Sequence, residues 1–214
     1  MPPLARWQPG TRQFGWIKAG LFLLFLVPLG RLVYGGFVNA LGANPIETIT
    51  RSTGWWTLFL LMATLSVTPL RRLSGANWLL KLRRMLGLFA FFYACAHFTT
   101  FVWFDHWFDV GEILKDVVKR PFVTIGFAAF LLFLPLAFTS TNAMVRRLGR
   151  NWQQLHRLVY VLAPFGVIHF WWLVKRDLTE PAIFAIVLAG LLGLRLYWRS
   201  KAAHGRNRNP VAES

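Results

Sequence analysis

Long apolar stretches dominate this chain of 214 residues and restrict what it can fold into. A helix that crosses a membrane needs about 20 mostly apolar residues, because the hydrocarbon layer is about 30 Å thick and each residue rises about 1.5 Å. The sequence therefore predicts an all-α integral membrane protein, a six-helix bundle. Its predicted spans are Ile17–Val38, Gly54–Leu70, Met85–Phe104, Pro121–Phe138, Leu158–Val174 and Pro181–Trp198.

The first of these segments also allows a second interpretation, a cleaved signal sequence. Such a sequence has a short apolar centre followed by a site of small residues. The stretch Arg31–Phe37 fits that pattern poorly, so a retained first helix is favoured. Residues 1–16 are then a cytoplasmic tail, 17–198 a transmembrane domain, and 199–214 a basic cytoplasmic tail.

The charges indicate how the bundle is oriented. The chain has 24 Lys and Arg against 8 Asp and Glu, a net charge of +16. Fifteen of the bases lie in the two tails and in the segments after the second and fourth spans, whereas seven of the eight acids lie on the opposite side. Positive charge marks the cytoplasmic side, so both termini are predicted to be cytoplasmic. The same bases meet anionic lipid headgroups. No soluble basic domain is available for nucleic acid.

Three histidines lie within or at the rim of predicted spans, where an ionisable side chain is costly and suggests a functional site. His97 lies thirteen residues after Arg84, and His169 lies thirteen residues after His156. Thirteen helical residues cover about 20 Å. His97 and His169 are therefore expected at one depth in the outer half, and His156 near the cytoplasmic face.

Two neutral imidazoles that face each other from neighbouring helices can ligate the two sides of a haem iron, an arrangement for electron transfer. A di-zinc or transporter-type metal site would need carboxylates in the spans, which the sequence lacks. Cys95 stands alone without a C-x-x-C-H motif, which argues against covalently attached haem and favours haem b. Each residue turns a helix by about 100°, so His156 and His169 do not lie on the same face of a straight helix and can contact different neighbouring helices.

Several motifs resemble those of a known family. The six-helix layout, with a histidine on the third span and two on the fifth, resembles the ferric-reductase-like transmembrane domain. Short matches identify a closer resemblance to the MsrQ family of haem-binding membrane subunits. They are Thr53–Trp55, Ser66–Arg71, Arg83–Leu88, Lys119–Phe122, Leu136–Ser140 and Trp152–Tyr160.

The resemblance implies a role that composition does not reveal. Members of that family occupy the bacterial inner membrane and pass electrons from the quinone pool, with FMN also associated, through haem b. The acceptor is MsrP, a periplasmic reductase with a molybdenum cofactor that repairs oxidised methionine, so the substrate chemistry belongs to the partner. The haem ligands implied for this chain are His97, His156 and His169.

One departure concerns the cytoplasmic level. The wider superfamily has a second histidine on the third span, but the corresponding positions here hold Arg83 and Arg84. One haem is thus supported, and the existence of a second stays open. We expect Trp78, Arg83 and Arg84 to lie on the side that binds the quinone or flavin donor.

The sequence allows two other functions. One is a ferric-reductase-like or NADPH-oxidase-like carrier, but the short segment after the last span cannot hold a nicotinamide-binding domain, so a separate cytosolic flavin reductase would have to supply it. The other is a non-redox transporter or assembly factor. Transporters often contain internal repeats, and none is evident in the sequence.

Overall fold

The computed structural model describes residues 8–174 and 177–208, which form helices joined by short connections and contain no strand. The predicted tails fall partly outside these residues. The α-helices are α1 (Thr11–Phe37), α2 (Pro45–Ser74), α3 (Arg83–Thr100), α4 (Val110–Lys119), α5 (Pro121–Phe138), α6 (Asn142–Leu148), α7 (Arg150–Leu155), α8 (Val159–Leu173) and α9 (Thr179–Arg208).

Five helical stretches of the described residues are long and apolar enough to cross a membrane. They correspond to five of the six predicted spans, and the one formed by α5 matches its predicted limits. The remaining prediction, Leu158–Val174, corresponds to α8, which has only 15 residues. A turn of 3₁₀-helix, His156–Leu158, links α8 to the preceding α7 and lengthens the helical path. The six-span count and the cytoplasmic termini remain predictions.

Local signals in the sequence explain where the helices begin and end. Asn44 caps α2 by accepting a hydrogen bond from the Glu47 amide at 3.2 Å. Gly75 ends the same helix with a φ of 71°, a conformation that glycine adopts without steric cost. Pro121 opens α5, where its missing amide hydrogen costs nothing.

Contacts between helices define two ends of the bundle. The start of α2 contacts the end of α3, and the start of α5 contacts the end of α8. These helix ends lie near Glu47, Asp105 and Asp116, and we call this the acidic end. The opposite end carries Arg72, Arg83, Arg147 and Arg199, and we call it the basic end.

The apolar core lies where α2, α3 and α8 meet. Leu60, Tyr93 and Leu162 are almost completely buried there. In contrast, α1 is largely exposed and is fastened to α3 by the Tyr93 hydroxyl, which donates to the Phe25 carbonyl at 2.7 Å and accepts from the Leu29 amide at 3.3 Å. Exposed apolar side chains cover much of the remaining surface, as expected for a protein in lipid.

Candidate functional site

Two predicted haem ligands face each other toward the acidic end. The rings of His97 on α3 and His169 on α8 have centroids 6.1 Å apart, with an angle of 77° between their planes. The sequence prediction that these two histidines share one depth is therefore matched by the geometry, since their rings meet at one level of the bundle.

Backbone carbonyls hold both rings. Nδ1 of His97 lies 2.9 Å from the Thr50 carbonyl oxygen, and Nδ1 of His169 lies 2.7 Å from the Phe122 carbonyl oxygen. Because a carbonyl oxygen can only accept, each Nδ1 must carry the proton and donate. Each Nε2 then keeps its lone pair and has no hydrogen-bond partner among the described residues. This is the tautomer in which a histidine ligates a metal, with a carbonyl to orient it.

A glycine lies against each ring. A Cβ added at Gly54 would come 3.1 Å from Cε1 of His97, and one added at Gly126 would come 2.6 Å from Nδ1 of His169. Real Cβ atoms do not approach as closely as 2.6 Å, so Gly126 permits the position of His169. Sequence reasoning did not identify either glycine as a functional residue.

These contacts form an internal repeat. The accepting carbonyls at 50 and 122, the glycines at 54 and 126, and the histidines at 97 and 169 are each separated by 72 residues. In each half, a carbonyl and the glycine four residues later hold the histidine of the neighbouring helix. No repeat is evident in the sequence itself, but the common offset of 72 residues in these contacts is the signal that points to the glycines.

The space around the two rings suits a porphyrin. It is enclosed by α2, α3, α5 and α8 and is lined mainly by apolar and aromatic side chains, including Trp55, Leu58, Phe98, Phe127, Phe130, Leu162 and Phe170. Its polar lining includes Thr50, whose hydroxyl is buried without a partner, and Arg51 and Asp105. An apolar chamber with a few polar groups at one side is typical of a cofactor site.

The ring spacing fits haem ligation as well. A metal–imidazole bond is about 2 Å long, so two imidazoles on opposite sides of one iron have ring centres about 6 Å apart. The His97–His169 spacing of 6.1 Å agrees with this. Among the described residues no group of three or more His, Cys, Asp and Glu side chains could hold a metal ion by itself. The spacing of the pair fits an iron held inside a haem.

His156 lies apart from this pair, at the basic end. Its ring stacks on Trp152 with centroids 3.9 Å apart, and its Nδ1 lies 3.1 Å from the Trp152 carbonyl oxygen. Its Nε2 is buried with no hydrogen-bond partner in the strict geometric sense among the described residues, although the Leu136 carbonyl lies near the ring. The structure thus separates the three predicted ligands into a facing pair and a single histidine.

The residues predicted on the donor side differ in how far they are buried. Arg83 is half-buried and lies close enough to His156 for their charges to interact, whereas its neighbour Arg84 is exposed. Trp78 is half-buried and packs edge-on against Phe14 of α1, with ring centroids 6.4 Å apart. The structure therefore brings Arg83 near a predicted ligand.

Comparison with known proteins agrees with this architecture. Residues 53–167 match the family described as "Ferric reductase like transmembrane component". The chain is 61% identical over 193 residues to "Protein-methionine-sulfoxide reductase heme-binding subunit MsrQ" of Herminiimonas arsenicoxydans, covering 89% of this chain and 88% of that protein. Proteins of the same name from Ralstonia nicotianae and Azospira oryzae are 56% and 55% identical, covering 85% and 90% of this chain and 85% and 83% of their own lengths.

No solved structure matches the chain significantly. The family match spans more than half of the chain and includes both His97 and His156. The relatives extend this likeness over most of its length. The chain therefore belongs to the MsrQ family of ferric-reductase-like, multi-pass membrane proteins of bacteria.

Proposed function

We propose that the protein is a b-type cytochrome of the bacterial inner membrane that supplies electrons to a methionine sulfoxide reductase. It takes electrons from the quinone pool, with FMN as a further cofactor, and delivers them to the periplasmic molybdenum-dependent reductase MsrP. The names of the relatives, heme-binding subunits of protein-methionine-sulfoxide reductase, support this proposal. In this function six spans place both termini in the cytoplasm, and reduction of the substrate takes place in the partner.

The facing pair of His97 and His169 carries the proposal. Both rings are oriented by backbone carbonyls, and both Nε2 lone pairs are available. We assign these atoms as the axial ligands of a haem near the acidic end, and Nε2 of His156 as a ligand at the basic end. Bound haem supplies one-electron redox chemistry, and the apolar walls keep water away from it.

The entry side for electrons is proposed at the basic end. Trp78, Arg83 and Arg84 belong to this end, where the predicted orientation places the cytoplasm. Electrons then travel from the basic end toward the acidic end, whose loops face the periplasm. Arg83 is the member of this group best placed to contact a cofactor, because it is half-buried and close to His156.

Haem content after substitution of the ligands tests the proposal. We expect purified full-length protein to show the sharp reduced bands of a six-coordinate b haem after dithionite is added. His97→Ala and His169→Ala should each abolish the haem at the acidic end, because each removes one axial ligand. His204→Ala is the matched control, because His204 is exposed on the last turns of α9. Wild-type haem content and spectra in both ligand variants would contradict the assignment.

The source of electrons is tested separately. Reconstituted protein should be reduced by a quinol without any cytosolic protein. Reduction that required a flavin reductase and a nicotinamide would instead favour the ferric-reductase-like alternative.

A further inference from the structure

Arg195 is a charged side chain inside an apolar helix. It lies within the membrane-spanning part of α9 and is half-buried. Its guanidinium donates to the Leu65 carbonyl at 2.5 Å and lies 5.4 Å from the centre of the Tyr160 ring. An arginine at membrane depth is costly to keep, so its retention calls for a compensating interaction.

One of its hydrogen bonds has a structural reason. Pro69 lies four residues after Leu65 in α2 and has no amide hydrogen, so the Leu65 carbonyl has no partner within its own helix. Arg195 supplies the missing donor. A neutral amide could do the same, so this bond accounts for a donor at position 195 but not for its positive charge.

The charge of Arg195 adds to that of neighbouring bases. Arg83 lies close enough to interact electrostatically with Arg195 and with His156, and Arg199 also acts on Arg195. Within residues 8–174 and 177–208, every ion pair between side chains involves an acid at the acidic end, and none involves Arg83 or Arg195. Two guanidinium groups in a shared, partly apolar environment repel each other unless an anion lies between or beside them.

The internal repeat sharpens the contrast between the two ends. At the acidic end each half of the repeat contributes a histidine. At the basic end, the residue 72 positions before His156 is Arg84, and its half-buried neighbour is Arg83. The buried Nε2 of His156 also has no hydrogen-bond partner within the part of the chain that the structure describes. The basic end therefore offers cationic donors where the acidic end offers a second imidazole.

We propose that Arg83 and Arg195, beside Tyr160 and His156, bind an anionic oxygen group of a redox cofactor at the basic end. The chemistry required is a phosphate or a carboxylate, for which guanidinium is a well-matched donor. The phosphate of a flavin mononucleotide and the propionate of a haem both satisfy it. The inference extends the proposed electron-carrying function by adding Arg195, on α9, as a residue that positions the cofactor.

The test measures both cofactors in purified full-length protein. Arg195→Gln keeps a donor for the Leu65 carbonyl but removes the charge, and Arg195→Lys keeps the charge but loses the paired donors. We expect Arg195→Gln to weaken retention at least about tenfold for one cofactor. Loss of FMN in a fluorescence titration identifies the phosphate, and loss of basic-end haem with FMN retained identifies the propionate. Cofactor retention in Arg195→Lys should lie between that of the wild type and that of Arg195→Gln. Arg83→Gln should lose the same cofactor as Arg195→Gln.

Arg147→Gln serves as the matched control, because Arg147 is exposed at the same end of the bundle. It should retain both cofactors. Unchanged FMN affinity and haem content in both Arg195→Gln and Arg83→Gln would overturn the proposal. It would also be overturned if these variants lost bound phospholipid but neither cofactor.

A second variant separates positioning of a cofactor from support of the fold. Pro69→Ala restores the amide that can pair with the Leu65 carbonyl. In an Arg195→Ala background it should recover thermal stability but not cofactor retention, and recovery of both would show that Arg195 acts only through the fold. The acidic-end haem, assigned through His97→Ala, should remain in every Arg195 variant. If the wild-type protein lacked the acidic-end haem, the proposed function would be refuted, but the FMN titration would still test whether Arg195 binds a phosphate.

Discussion

The position of the His169 ring requires a glycine at 126, because a methyl group there would overlap the ring. A Cβ at Gly126 would lie 2.6 Å from Nδ1 and 2.7 Å from Cε1 of His169. Gly126→Ala should therefore displace the ring and weaken haem retention about tenfold, equivalent to about 1.4 kcal/mol. The measurement is haem content, together with the reduced spectrum, of the purified variant.

The glycines of the repeat form an internal series for this prediction. Gly54→Ala should have a smaller effect, because its Cβ would lie 3.1 Å from Cε1 of His97 and a small movement relieves the contact. Gly190→Ala in α9 is the control, since nothing lies within 4 Å of a Cβ added there. An equal loss of haem in all three variants would show that the glycines matter only to helix packing.

The positions of the histidines along their helices made the pair predictable, whereas the groups that orient the rings could not be predicted. His97 and His169 each lie thirteen residues from the predicted cytoplasmic side, and helical rise alone places them level. The Thr50 and Phe122 carbonyls carry no side-chain signature, so only tertiary packing reveals that they accept from the rings. The sequence places Arg195 inside the predicted span Pro181–Trp198, but the contacts of this side chain depend on how α9 packs.

Among the helices, α1 depends most on a single polar contact. The Tyr93 hydroxyl lies between the Phe25 carbonyl and the Leu29 amide, which are partners in a regular helix. Pro28, just before Leu29, distorts this turn and allows the hydroxyl to enter.

Tyr93→Phe should loosen the attachment of α1. The freed carbonyl and amide can pair with each other again, so the net cost should be about 1 kcal/mol. We expect a fall of about 2–4 °C in the thermal midpoint of the detergent-solubilised protein. Tyr197→Phe is the control, because Tyr197 is exposed on α9. No difference between the two variants would mean that apolar contacts alone hold α1.

Hydropathy predicted the long helices well because lipid imposes one simple demand on each of them. It did not predict α4, which follows the third span as an amphipathic helix with Val110, Leu114 and Val118 exposed. Nor did it predict that the fifth span would be a short helix, α8, preceded by α7 and a turn of 3₁₀-helix. Such features arise from the connections, where side-chain contacts rather than hydrophobic length decide the conformation.

For the molecule as a whole, the predicted orientation can be tested by labelling single cysteines in a Cys95→Ala background. An impermeant maleimide should label Glu112→Cys in intact spheroplasts, and it should label Arg147→Cys and Ser200→Cys only after permeabilisation. The reason is that one crossing, α5, separates the first two positions, and two more return the chain to the cytoplasm. The reverse pattern would invert the orientation, and labelling of Ser200→Cys from outside would remove one crossing.

The way both histidines are held also bears on the speed of electron transfer. Each ring is fastened to the backbone of a neighbouring helix, and a glycine lies against its side. Rings fixed in this way have little freedom to shift when the charge between them changes by one, because rigid elements and hydrogen bonds to the backbone preorganise them. In the proposed function, this rigidity would keep the reorganisation energy small, so that electrons would be exchanged rapidly without any change in the helices.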